Sequence, residues 1–156
     1  MSVLLNHAEI AARIPHAGKM CLLDSMLSVS ETDIVCSAVS HRDPHNPLRS
    51  HDRLGAAIAV EYAAQAMALH GSIGKADLDA PARDTTKGGR LINVRQLTLH
   101  CVRFDDHASP LTVRATRLMG DAANVIYSFE VSADCQMVAS GRAGVMLVAN
   151  ENESVR

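Results

Sequence analysis

Aromatic residues are scarce in this chain of 156 residues, since they make up 3% of it and tryptophan is absent. Proteins that bind single-stranded nucleic acid stack the bases on aromatic side chains, so the sequence argues against that class. An excess of positive charge is also missing, because 15 basic and 17 acidic residues give a net charge of −2. We therefore expect no binding of nucleic acid through its phosphates.

Long apolar runs and a targeting leader are missing too. The longest apolar stretch, Leu54–Leu69, is too short to span a bilayer and contains Glu61 and Gln65. The first residues lack the basic and then apolar pattern of a secretory signal. The chain is therefore expected to contact no membrane.

Closely spaced cysteines and several known site motifs are absent as well. No two cysteines form a CxxC pair, which favours buried free thiols in a reducing cytoplasm over disulfide bonds. No Cys or His pair has the spacing of a structural zinc site, and neither a phosphate-binding glycine loop nor a serine nucleophile elbow is present. These absences predict a cytoplasmic protein without a metal or a cofactor. The cysteines are Cys21, Cys36, Cys101 and Cys135.

What the chain does contain is typical of one small folded domain. Apolar residues make up 47% and charged residues 21%, which is close to ordinary globular usage. The length suits a single domain, which we place at residues 1–149. Residues 150–156 are polar and are predicted to form a frayed tail.

The stretch Leu54–Leu69 is predicted to be the central helix. Seven alanines favour a helix there, and Gly71 is a plausible stop signal. Because this helix is apolar nearly all round, other elements must wrap it.

The remaining apolar segments favour strands, and Gly74–Gly89 lacks any periodicity and is interpreted as a mobile loop. Two strands, one helix and four further strands predict an α+β fold, in which an antiparallel sheet of about six strands curls around the helix. One sheet cannot enclose the helix, so a second copy of the chain is expected on its open side. The predicted strands are Met20–Val29, Asp33–Ser40, Leu91–Arg103, Leu111–Leu118, Val125–Val131 and Val138–Val148.

Glu61 is the main candidate for chemistry. A carboxylate inside an apolar helix costs several kcal/mol if it is ionised and unpaired, so it must be neutral or hydrogen-bonded. Gln65 lies four residues on, on the same helix face, and is placed to bond it. Perturbed buried carboxylates cluster at functional sites. The structural alternative is that Glu61 reaches solvent or pins the preceding loop.

The loop before the helix is the second candidate. Residues 41–52 contain three histidines and two prolines, and prolines restrict the backbone enough to hold a histidine in place. An ordinary solvated connection is the alternative for any one of these histidines. Free N–H groups near Gly55 and Ala56, at the start of the helix, would polarise a carbonyl. An acid, a base and backbone donors together favour proton abstraction next to a carbonyl.

Two motifs in this order resemble the β-hydroxyacyl-ACP dehydratases. In Ile14–Asp24, Pro-His is followed eight residues later by Asp after an apolar run, and in Glu61–Gln65 an acidic residue precedes Gln by four. Gly88–Leu91 and the strands after it follow the family order, so the resemblance covers about residues 8–148. The dehydratase branch found in aryl-polyene-type gene clusters is similar in having Asp-Pro-x-x-Pro before Arg-Leu-x-Ala and the Val-Glu-Tyr helix. The resemblance implies the hotdog fold and a dimer.

The resemblance also implies an activity, the dehydration of a 3-hydroxyacyl thioester carried on acyl carrier protein. A loop histidine would remove the α proton, Glu61 would protonate the departing hydroxyl, and the amides at Gly55 and Ala56 would hold the thioester oxygen. Gln65 is assigned to the same substrate site.

The catalytic histidine does not transfer directly from the family. The family's Gly-His-Phe-Pro-Gly loop is missing, and Pro47 stands at the family's histidine spacing. His45 and His51 are the nearest candidates for the base, and His41 is farther away. His16 matches the N-terminal signature and is assigned a structural role, with its ring bonded to backbone near the dimer interface.

The expected partners are acyl carrier protein and a second hotdog subunit, in a homodimer or a heterodimer. Two alternatives stay open: a hotdog thioesterase in which Glu61 activates water, and a non-catalytic subunit that completes the site of a partner. Five arginines would form either a solvated sheet face or a basic face for the acidic carrier. They are Arg90, Arg95, Arg103, Arg114 and Arg117.

Overall fold

The computed structural model describes residues 2–16, 18–73, 89–121 and 123–147. The predicted loop Gly74–Gly89 lies outside the described residues except for Gly89, which begins a strand. The predicted tail, residues 150–156, lies outside them entirely.

The described residues form one antiparallel sheet of seven strands and two α-helices, which confirms the α+β prediction. The strand order is β1-β2-β3-β5-β6-β7-β4. The helices are α1 (His7–Ala11) and α2 (Ala59–Ser72). The strands are β1 (Leu5–Asn6), β2 (Ser25–Val29), β3 (Asp33–Ala38), β4 (Gly89–Leu99), β5 (Leu111–Gly120), β6 (Asn124–Ala133) and β7 (Gln136–Leu147).

The extra strand and the first helix lie near the N-terminus, where the sequence analysis predicted neither. β1 is only two residues long, too short for a period-2 pattern to reveal it. The helix does carry a sequence signal, because Asn6 and Glu9 form a capping box. The side-chain oxygen of Asn6 accepts from the Glu9 N–H at 3.0 Å.

The predicted bounds of the central helix are shifted. Leu54 and Gly55 precede the helix in an extended segment, since the Phe104 N–H donates to the Leu54 oxygen and the Ala56 N–H donates to the Val102 oxygen. One 3₁₀ turn, Ala56–Ile58, then leads into α2. The helix continues through Gly71 to Ser72, so the predicted stop at Gly71 is wrong.

A hydrogen-bonded histidine fixes the C-terminal end of α2. The Nε2–H of His70 donates to the Ser30 carbonyl at 2.9 Å, so its Nδ1 accepts from the Tyr127 hydroxyl at 2.8 Å. This clamp holds the last turn against β6 and the β2–β3 turn.

β2 begins at Ser25, whereas the corresponding predicted strand began at Met20. Gly18–Met20 form a 3₁₀ turn, and the apolar residues that follow are buried without continuing the strand. The sequence analysis therefore interpreted this apolar run, which packs against α2, as the beginning of the strand.

The core lies between the concave face of the sheet and α2. Alternate residues of β5 and β6 are buried, and the helix buries Tyr62, Ala63, Ala66 and Leu69 against them. On the opposite side of the helix, Glu61 and Ala64 are only partly covered. This open side confirms the prediction that one sheet does not enclose the helix.

Among the described strands, β4 forms an edge of the sheet and pairs only with β7. Large apolar side chains on and just after this strand are exposed. They are Leu91, Ile92, Leu97, Leu99 and Val102.

All four cysteines are free thiols, but only Cys21 and Cys36 are buried, and Cys135 is exposed in a turn. Within the described ranges, no helix is both long and apolar enough to cross a membrane.

Candidate active site

Glu61 lies in the first turn of α2, where the helix dipole favours a negative charge. Its side chain is 36% exposed, on the side of the helix that the sheet leaves open. The carboxylate is therefore half-buried and reachable, whereas the sequence predicted a group enclosed by aliphatic side chains.

His16 is the imidazole that faces this carboxylate. Its Nε2 lies 3.3 Å from Oε1 of Glu61. The buried side chain of Ile14 anchors the backbone two residues earlier. The sequence analysis expected His16 to bond backbone, and the structure corrects this, because its ring contacts Glu61.

Gln65 connects the helix to the chain that follows His16. Its Oε1 accepts from the Leu22 N–H at 2.8 Å, and its Nε2 donates to the Met20 carbonyl at 2.6 Å. The same Nε2 donates to Oε1 of Glu61 at 3.5 Å. Gln65 is completely buried, so it positions Glu61 and has no surface to offer a substrate.

The hydrogen bonds from His16 and Gln65 favour the ionised form of Glu61. The hydrogen bond from His16 is the main cause that lowers the pKa of Glu61, against the opposing effect of burial, and the bond from Gln65 adds to the lowering. The resting group is therefore an ionised carboxylate. Since it can only accept, the Nε2 of His16 carries the proton, and the buried Nδ1 of His16 has no partner among the described residues.

This state changes the role expected for Glu61. A carboxyl group with a lowered pKa is a poor resting proton donor, so the expected role of a protonated acid does not fit the free protein. One oxygen of Glu61, Oε1, accepts hydrogen bonds from both His16 and Gln65. Within the described residues, the other oxygen, Oε2, has no hydrogen-bond partner.

The two loop histidines predicted as bases lie elsewhere. His45 and His51 are exposed, and in the described part of the chain neither ring forms a hydrogen bond or an ion pair. His51 and Asp52 form the turn between Ser50 and Arg53, with φ of 52° and 61°. The structure therefore does not bring either ring to Glu61 within one chain, and their catalytic role stays a prediction.

The third loop histidine, His41, is completely buried. Its Nε2–H donates to the His107 carbonyl at 2.8 Å, and burial lowers the pKa of its ring. Arg49 holds the same loop by donating to the carbonyls of His41 and Asp43. These contacts fix the backbone of the loop.

An acidic side chain attaches the loop to the rest of the fold. Asp105 accepts from the Leu54 N–H at 3.2 Å and pairs with Arg49 at 3.3 Å and Arg103 at 2.7 Å. The Arg103 hydrogen bond holds the pKa of Asp105 well below its ordinary range.

The backbone donors predicted at the helix start are partly occupied. The N–H of Ala56 donates to the Val102 carbonyl at 3.0 Å, so it is not free to hold a thioester oxygen. The N–H of Gly55 donates no hydrogen bond within the described residues, and Gly55 is exposed. Of the two predicted donors, only Gly55 is therefore available.

A cavity of about 710 Å³ lies next to the residues that follow His16 and to the loop before α2. It is bordered by the turn at Gly18 and Lys19 and by the loop at Ser40 and Asn46, and neither Glu61 nor His16 lines it. Across the described ranges, no group of three or more His, Cys, Asp and Glu side chains is arranged to hold a metal ion.

His16 is the site residue that the sequence analysis did not select. The signal was present, because the Pro-His signature and the Glu61–Gln65 motif were both recognised. What the sequence did not show is that Gln65 bonds the backbone at Met20 and Leu22, which brings the two motifs together.

Comparison with known proteins gives one family match. A family model described as ApeP-like, the ApeP dehydratase, matches residues 8–156. None of the curated proteins matches the sequence.

Several solved structures share the fold. The dehydratase heterocomplex ApeI:P from Xenorhabdus doucetiae is 22% identical, with a TM-score of 0.79 over 93% of this chain and 93% of that chain. A mutant of the thioesterase PA1618 from Pseudomonas aeruginosa is 13% identical, with a TM-score of 0.55 over 80% of each chain. The TT0310 protein from Thermus thermophilus is 15% identical, with a TM-score of 0.54 over 79% of this chain and 90% of that chain. These similarities confirm the predicted hotdog fold.

Proposed function

Because the chain belongs to the ApeP-like dehydratase family, we propose that it removes water from a 3-hydroxyacyl thioester carried on acyl carrier protein, with Glu61 as the reacting group. The observation that carries this assignment is a half-buried, ionised carboxylate with one oxygen bonded to His16 and Gln65 and the other open. The carrier enters the proposal through the resemblance of the two motifs to carrier-dependent dehydratases.

The ionised state favours Glu61 as the base. Its open Oε2 takes the α proton of the thioester, which leaves an enolate, and the Nε2–H of His16 keeps Oε1 in place. The protonated carboxyl group then donates that proton to the β-hydroxyl, the C–O bond breaks, and water and the enoyl thioester form. Glu61 returns to the carboxylate, so the cycle needs no external reactant.

The loop histidines offer a different division of roles. If His45 or His51 removes the α proton, Glu61 serves only as the acid. The lowered pKa of Glu61 separates the two assignments. With Glu61 as base, kcat/KM stays flat from about pH 7 to 9, whereas an essential acid of lowered pKa gives a decline of about tenfold per pH unit over that interval, where an imidazole of ordinary pKa is already neutral.

A second hotdog subunit is part of the proposal. Within the part of the chain that the structure describes, β4 has an open edge and exposed apolar residues, including Ile92 and Val102, which suit pairing with another sheet. A related structure is itself a heterocomplex of dehydratases. The cytoplasmic location and the absence of nucleic-acid partners remain predictions.

The test is turnover of a 3-hydroxyacyl thioester, both carrier-bound and as a small-molecule thioester, followed by mass spectrometry. We expect the enoyl product, and we expect Glu61→Gln to lower kcat/KM by about a thousandfold. Glu130→Gln, an exposed change on the far face of the sheet, is the matched control and should leave turnover unchanged. Free acid as the product would instead support the thioesterase alternative, and unchanged turnover in Glu61→Gln would support a non-catalytic subunit.

A further inference from the structure

Residues 54–56, just before α2, form a short antiparallel bridge with residues 102–104. The Ala56 N–H donates to the Val102 carbonyl at 3.0 Å. N–H groups alternate in direction along an extended chain, so the preceding N–H, that of Gly55, faces away from residues 102–104. It donates no hydrogen bond within the described residues, which leaves it available to a substrate oxygen.

Asp105 holds the same short segment from the inner side of the bridge. Its Oδ1 accepts from the Leu54 N–H at 3.2 Å, and its side chain is only 7% exposed. Arg103 donates to both carboxylate oxygens, at 3.2 and 2.7 Å, and Arg49 donates to Oδ2 at 3.3 Å. Two guanidinium groups therefore hold the carboxylate in one orientation. Because the bound Leu54 N–H lies one residue before that of Gly55, the carboxylate fixes the direction in which the Gly55 N–H points.

No contact among the described residues requires a glycine at position 55. Its φ of −69° and ψ of 151° suit any residue, and a Cβ placed there would meet no atom within 4 Å. Gly55 is also exposed. What its missing side chain provides is room outside the chain, which the close approach of a ligand to the backbone requires.

We propose that Asp105 is a positioning residue for the dehydration, because it aims the Gly55 N–H at the thioester oxygen of the substrate. This inference rests on the proposed function and on the expectation that the Gly55 N–H holds that oxygen. Negative charge develops on the oxygen when the α proton leaves, and a donor fixed in advance stabilises that charge most. Asp105 itself touches no reacting atom and acts only through the backbone of Leu54 and Gly55.

The test is a double-mutant cycle in the full chain, measured by turnover of a small-molecule 3-hydroxyacyl thioester. Gly55→Pro deletes the N–H, and it should fold because φ of −69° suits proline and the preceding residue is extended. We expect it to lower kcat about a hundredfold and to change KM little. Asp105→Asn removes the charge that holds both arginines, and we expect kcat to fall about tenfold. In the Gly55→Pro background, Asp105→Asn should lower kcat no further.

Asp106→Asn is the matched control, since Asp106 also pairs with Arg103, at 3.3 Å, but its side chain is 62% exposed. It should leave kcat unchanged, and circular dichroism verifies that each variant folds. If Asp105→Asn lowers kcat equally in both backgrounds, Asp105 supports the fold without acting through Gly55, and the inference is overturned.

A second readout needs no turnover and so separates this inference from the proposed function. Butyryl pantetheine, a thioester without a β-hydroxyl, is added to isotopically labelled protein and followed by NMR. The amide proton of Gly55 should move downfield in wild type and in Asp106→Asn, and less in Asp105→Asn at equal saturation. An equal shift in wild type and Asp105→Asn, or no shift in wild type, would overturn the inference. Failure of wild type to form an enoyl product would instead contradict the proposed function.

Discussion

Two segments pack against the N-terminal half of α2, and they are fixed to it in opposite ways. In the segment made of His16 and residues 18–22, the helix supplies the anchor, because the buried amide of Gln65 bonds backbone groups of the segment. In residues 40–54 much of the anchoring comes from charged groups outside the helix, Arg49 and Asp105. The ring of His16 consequently lies at the helix, whereas those of His45 and His51 point outward.

The difference shows that composition alone does not locate a reacting histidine. Three histidines and two prolines made residues 41–52 the more conspicuous segment. The anchors of that loop hold its backbone and leave two rings in solvent. A single histidine next to a buried anchor is the one that reaches the carboxylate.

From this comparison we expect the free energy of unfolding to fall by unequal amounts when each segment loses its hydrogen bonds to the helix. Gln65→Leu leaves the Leu22 N–H and the Met20 carbonyl without partners, and we expect it to lower the free energy of unfolding by about 3 kcal/mol. Tyr62→Phe removes a hydroxyl bonded to Ser40 and Asn46, which keep other partners, so about 1 kcal/mol is expected. Urea unfolding measures both, and similar losses would show that the two segments are held alike.

A second prediction compares the loss of activity on substituting His16 with the loss on substituting the loop histidines His45 and His51. His16→Gln keeps a donor near Oε1 of Glu61 but changes its reach, and we expect kcat/KM for dehydration to fall about thirtyfold, or about 2 kcal/mol. The double variant His45→Ala, His51→Ala should lose less than about twofold, because neither ring contacts Glu61.

Both proteins should be assayed alone and with any hotdog partner present, since exposed loop rings are free to act across an interface. If the double loop variant loses more of its kcat/KM than His16→Gln does, a loop histidine removes the α proton and His16 only supports Glu61.

Much of the fold could be predicted from the sequence. Alternation in Leu111–Leu118 and Val125–Val131 identified β5 and β6, and the alanine-rich run identified α2. These features rest on local periodicity, which one sequence displays directly.

The site was less predictable because its contacts join distant parts of the chain. Glu61 and Gln65 were recognised, but the bond from Gln65 to Leu22 spans 43 residues, and no local pattern reports it. The same limit explains Ala56, whose N–H is taken by Val102 from a loop far along the sequence. The sequence analysis left the exposure of Glu61 open because the helix is apolar on both sides, and only the packed sheet shows which side stays uncovered.

The smallest predicted effect concerns the inner histidine of the loop, His41. Its Nε2–H is donated to a carbonyl, so a second proton would have to enter at Nδ1, which is buried without a partner among the described residues. Burial lowers the pKa of the ring below its ordinary value of 6.5, against the opposing effect of the hydrogen bond to the His107 carbonyl. The unfolded chain therefore binds more protons, and stability declines as pH falls below about 6.5.

His41→Gln keeps a donor to the same carbonyl but cannot titrate, so it should remove this decline, which we expect to be under about 1 kcal/mol between pH 7 and 5. Urea midpoints measured across that interval report the difference, and His51→Gln, an exposed change in the same loop, serves as the control. If wild type and His41→Gln lose stability in parallel, His41 is not a source of the decline.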